Sequence, residues 1–148
     1  MYFRDLTPYS YSSDLNTEGR LVNFGWLARG KPFQTGSLEL DWLNKLGDAV
    51  VNYVNAYRGT HDCEFCSTSA DFLMVTIHGR ACLLGHAEAW VPAADGRIFV
   101  APTLVYHYVI AHQYRPPDAV VDALRALPED PLIWNTPDGL YRRLVAEL

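Results

Sequence analysis

Residues 61–66 of this 148-residue chain, HDCEFC, hold one histidine and two of the three cysteines. Two thiolates three residues apart can turn their sulfurs toward one ion, and zinc favours thiolate and imidazole in a tetrahedral set. A complete site needs two further ligands, and no second cysteine pair is present. His61 is near enough in sequence to join Cys63 and Cys66. His107 and His112, in LVYHYVIAHQY (104–114), are the distant candidates. His107 is favoured, because it lies amid Leu104, Ile110 and Ala111, where an unpaired polar ring needs a partner. Residues five apart sit about 140° apart around a helix. His112 can therefore join His107 only if the helix ends early, and otherwise stands beside the site with Glu64. The metal expectation is thus zinc on Cys63, Cys66, His107 and, as the fourth ligand, His61.

Other chemistries compete for the same residues. A redox dithiol normally sits at a helix N-terminus, whose partial positive charge lowers a thiol pKa. These cysteines follow a helix C-terminus, and Glu64 between them opposes thiolate formation. A nucleophilic cysteine with His107 as base and Asp62 or Glu64 as orienting carboxylate is a third arrangement. A catalytic zinc would hold three protein ligands, an open position and a carboxylate base such as Glu64. The plain alternative is two reduced, half-buried cysteines and a hydrogen-bonded core histidine. His86 and Glu88 share a strand face with Cys82 and form a weaker constellation, which fits a solvated or loop-covered sheet face.

The elements that must position these residues can be read from periodicity. Leu40, Leu43, Leu46, Val50, Tyr53, Val54 and Tyr57 recur at three- and four-residue steps, an amphipathic helix of about 18 residues. Ser37 suits its N-cap and Arg58-Gly59 its stop. LVNFGWLA (21–28) suits a short strand. FLMVTI (72–77), ACLLGHAEAWVP (81–92) and RIFVA (97–101), joined by His78-Gly79-Arg80 and AADG, read as an antiparallel meander. Pro102 suits the first turn of the helix carrying His107 and His112. Pro117 and Asp118 start another helix, and Thr136-Pro137-Asp138 starts a last one. The expectation is a single α+β domain spanning 1–148. Residues 1–20 form an irregular lead-in, and a three-stranded antiparallel meander with an N-terminal strand is packed by about four helices.

Composition limits function. The net charge of −5 and the scattered basic residues argue against nucleic acid, which needs a concentrated basic surface. An acidic surface suits a basic protein partner. No apolar run approaches the ~20 residues of a membrane span, and the first residues lack the basic-then-apolar pattern of an export signal. Three cysteines cannot all pair within the chain, so a reducing cytoplasm is the expected setting.

RGTHDCEFC (58–66), residues 84–124 from LGHAEAW to VVDAL, and NFGWLARGKPFQTG (23–36) resemble a family of small uncharacterised bacterial proteins. Its members carry RG-x-H-x-C-x-F-C and AP-x-L-x-x-HY…H-x-Y-x-PP motifs in this order. The resemblance covers most of residues 20–125. It implies a bacterial, cytoplasmic protein and a linked role for His61, Cys63, Cys66, His107 and His112, and supplies no activity. The resulting expectation is a zinc-binding accessory protein with a filled structural site. A small zinc enzyme with an open position beside Cys63, Cys66 and His107 is the alternative.

Overall fold

A computed structural model describes residues 1–11, 19–66 and 73–130. The helix expected from Thr136 onward lies outside the described residues. Elements follow the order β1 (Leu21–Asn23), α1 (Leu40–Val51), β2 (Leu73–Ile77), β3 (Arg80–Leu84), β4 (Glu88–Pro92), β5 (Ile98–Pro102), α2 (Val105–His112) and α3 (Asp118–Ala126). This is an α+β fold, as the element order predicts.

The expected meander is divided in two. β2 and β3 form an antiparallel hairpin, while β4, β5 and β1 form a separate sheet ordered β1-β5-β4. The β2–β3 turn is tight because His78 and Gly79 both adopt positive φ, at 50° and 77°, the twist that suits a two-residue hairpin loop. The run 81–92 does not stay one strand, since Gly85 takes φ +94° and turns the chain out of β3. β1 runs parallel to β5, with Val22 opposite Phe99, so this sheet is mixed.

Period two along β5 divides the core. Phe99 and Ala101 join Trp42, Leu46 and Val50 of α1 and Leu124 of α3 under the helices. Ile98 and Val100 face the other way and pack with Tyr9, Leu21, Trp26, Val54 and Trp90. Both faces of the three-stranded sheet are therefore covered, which is why β5 is buried throughout.

The N-terminal lead-in does that covering. Pro8 bridges to Val22 and Phe3 to Trp26, and Tyr9 N–H donates to Leu21 O at 3.0 Å. Asp5 ties the segment down further, accepting from Gly25 N–H at 2.9 Å and from the Tyr114 hydroxyl at 3.0 Å. Burial raises the Asp5 carboxyl above the usual range, opposed by those two donors.

α1 is shorter than its periodicity predicts. It begins after Glu39, two residues beyond the expected cap, and ends at Val51. Val54 leaves the helix to exchange two 2.9 Å backbone hydrogen bonds with Glu88. It therefore continues the apolar period while belonging to the edge of the sheet. Pro102 likewise ends β5, opposite Glu88, instead of opening α2.

Candidate metal centre

Four side chains converge at one end of α2. Cys63, Cys66, His107 and His112 each offer one donor atom, and these atoms lie within 4.8 Å of one another. Cys63 Sγ is 3.3 Å from His112 Nε2; Cys66 Sγ is 3.2 Å from His107 Nε2 and 3.6 Å from His112 Nε2. Around a tetrahedral zinc with bonds of about 2.3 Å to sulfur and 2.0 Å to nitrogen, each S···N edge is about 3.5 Å. The observed edges fit such an ion with little adjustment. All four residues are half-buried.

His112 reaches the group from the last residue of α2. The next residue, Gln113, turns left-handed at φ 59° and ends the helix. Five residues of helix rise roughly 7.5 Å, yet the two imidazole centroids come within 5.1 Å of each other. A cation here also meets the carbonyl end of α2, where the helix dipole favours positive charge. Phe65, between the cysteines, packs its ring on His112 at 5.4 Å and on Tyr108 at 5.9 Å. The Cys-x-x-Cys turn is thereby seated on the helix that supplies the histidines.

His61, expected as fourth ligand, is not in this group. Its backbone N–H donates to Gly85 O at 2.8 Å, and its ring lies 6.0 Å from that of Tyr57. Glu64 is outside the group too. Its carbonyl accepts from the Arg29 guanidinium at 2.6 and 3.1 Å, and its carboxylate from the Arg29 N–H at 3.4 Å. The Cys82, His86 and Glu88 constellation is dispersed by the turn at Gly85. Cys82 stays in the β2–β3 hairpin, His86 packs edge-on against Tyr53 with ring centroids 4.7 Å apart, and Glu88 enters the other sheet.

Burial pushes the Cys63 thiol up, whereas backbone N–H groups of Phe65 and Cys66 favour its thiolate. Those N–H···S contacts are the outer support that a ligating thiolate requires. Burial, followed by the neighbouring His112, lowers the His107 pKa. The imidazole therefore stays neutral and able to ligate over a wider pH range.

The two halves of the group are braced by one connection, residues 85–88. On one edge it holds the segment leading to the cysteines: Tyr57 N–H donates to His86 O at 2.6 Å and His61 N–H to Gly85 O. On the other it holds the entry to α2, where Gly85 N–H donates to Thr103 Oγ1 and Thr103 N–H to Ala87 O, both at 2.9 Å. Glu88 anchors this brace. Its carboxylate is fully buried and accepts from Tyr9 Oη at 2.6 Å, Tyr57 Oη at 2.5 Å and Trp90 Nε1 at 3.0 Å. A lone acidic residue inside the apolar run ACLLGHAEAWVP is the sequence signal for such a buried, hydrogen-bonded carboxylate.

The chain belongs to the DUF7919 family. That family, described as a domain of unknown function, matches residues 1–125. The match begins at the first residue, whereas the motif resemblance starts near residue 20, and it takes in the segment that covers the sheet. It also spans all four converging donors of this DUF7919 chain. Neither a curated protein nor a solved structure matches it. Among the described residues, no helix is long and apolar enough to cross a membrane.

Proposed function

We propose that this DUF7919 chain binds one zinc ion through Cys63, Cys66, His107 and His112, and that the ion is structural. The observation that supports this reading is the mutual approach of two sulfur and two imidazole nitrogen donors at tetrahedral edge lengths. Zinc suits a two-sulfur, two-nitrogen tetrahedral set, whereas magnesium and calcium favour oxygen donors. Four protein ligands fill a tetrahedral ion and leave no position for a substrate or an activated water.

The ion's role is then to pin the connection after α1 to the end of α2. The chain acts as a binding or accessory protein of bacterial origin, in a reducing cytoplasm that keeps both thiols free to ligate. Its net charge of −5 suits a basic protein partner.

Elemental analysis of protein purified without a histidine tag tests the reading. The expected result is one zinc per chain, lost in Cys63→Ser and Cys66→Ser. Cobalt substituted at the site should give the absorption of tetrahedral, thiolate-bound cobalt. Absence of stoichiometric metal overturns the proposal, and water in the coordination sphere would favour the enzymatic alternative.

A further inference from the structure

We propose that a second site, a cavity beside the metal centre, binds a small organic cation of the alkylammonium class. The cavity has a volume of about 110 Å³, and its lining includes His61, Asp62, Glu64 and Tyr108 with apolar surface from Met1, Trp26 and Leu104. None of the four metal donors lines it, so a ligand could enter without displacing the ion. The inference therefore goes beyond the zinc reading and does not depend on it.

Two observations define the ligand. First, the cavity is lined by two acidic residues, Asp62 and Glu64, and by no lysine or arginine. The nearby Arg29 guanidinium is committed to the Glu64 carbonyl. Second, Tyr108 is only 4 % exposed, and its hydroxyl makes no hydrogen bond among the described residues. With no protein donor or acceptor on it, that oxygen can accept from an ammonium N–H.

A bare metal ion fits the cavity less well. Among the described residues, the Cys/His group is the one set of three or more ligating atoms that converges, so His61, Asp62 and Glu64 do not form a second metal site. With about 30 Å³ for each water-sized group, the space takes about four heavy atoms. Propylammonium has that size.

The test is a ¹H–¹⁵N NMR titration of the full chain, as purified, with propylammonium, propan-1-ol and propionate at constant ionic strength. These share a length and differ in charge. The expected result is saturable shifts at Trp26, Asp62 and Tyr108 with propylammonium, and at least tenfold weaker binding of the other two. The double variant Asp62→Asn/Glu64→Gln should lose at least tenfold in propylammonium affinity. Tyr108→Phe should weaken binding severalfold with a native-like spectrum. Failure of propylammonium to saturate, equal binding of propionate or propan-1-ol, or an unaffected double variant overturns the proposal. Elemental analysis of the same samples keeps the two readings apart: amine binding without zinc refutes only the metal assignment, and zinc without amine binding refutes only this one.

Discussion

The backbone N–H of His61 donates to Gly85 O at 2.8 Å, and a Cβ placed on Gly85 would stand 2.4 Å from the His61 carbonyl oxygen. The segment delivering Cys63 thus runs at a distance from the 85–88 connection that glycine alone permits. The φ of +94° at Gly85 excludes other residues independently. Gly85→Ala should destabilise the fold by about 2–4 kcal/mol through strain and clash combined. It should also weaken metal retention, because the cysteine segment must move away from α2. Urea denaturation and metal competition against a chromophoric chelator measure the two effects. Wild-type values in both would show that the close approach is not needed.

The two histidines that compete for the fourth position separate in a simple substitution pair. His112→Ala removes a donor 3.3 Å from Cys63 Sγ. Its loss should exceed the ~10–100-fold affinity cost of disturbing an outer partner. His61→Ala should leave zinc content and affinity unchanged, since the His61 ring faces Tyr57 and its tie to Gly85 is made by the backbone. The reverse ranking would move His61 into the coordination shell.

Much of this site was readable before the structure, and the misses share a physical origin. Cys63, Cys66 and His107 announce themselves by type, spacing and an apolar helical setting. His112 falls off the His107 face only in a continuing helix, and α2 stops at that residue. Helix ends depend on backbone events such as the left-handed Gln113, which hydrophobic period does not encode. The α+β class followed from element order, but the meander failed because one glycine in an unbroken apolar run turned the chain into another sheet. Likewise, Val54 kept helical period while pairing with Glu88. Burial on both faces of β4 and β5 erases the alternation that would have exposed the N-terminal segment as a cover.

Glu88 predicts a pH signature. Desolvation raises its pKa above the ordinary glutamate value, with hydrogen bonds from Tyr57, Tyr9, Trp90 and Asn55 opposing. For a carboxyl raised in the folded state, the unfolded chain releases its proton first as pH rises. The contribution to stability is therefore complete below the unfolded pKa and is lost as pH climbs through the folded one. Glu88→Gln should lower stability by an amount that is largest in acid and shrinks toward neutrality. Paired urea titrations from about pH 4.5 to pH 7 read that difference, since the window opens at the unfolded glutamate pKa. A difference that grows with pH instead would mean that the hydrogen bonds outweigh desolvation and that the folded pKa is depressed.

Removing the metal should loosen the chain without unfolding it. The largest fully buried side chains, among them Trp42, Phe24, Phe99 and Leu46, form the core apart from the four donors, which are half-buried. The segment before the cysteines keeps its Val54, Tyr57 and His61 backbone bonds whether or not an ion is bound. Chelation should therefore lower the Tm while helix and strand circular dichroism persist. The Tm should recover with added zinc as mass action requires. Burial raises the Cys63 thiol pKa, so the metal-free chain holds that proton at neutral pH and releases it when the ion returns. Apparent zinc affinity should consequently rise with pH, and calorimetry in buffers of different ionisation enthalpy should count the protons released. A chelated chain that loses its secondary structure altogether would instead assign the ion a part in building the core.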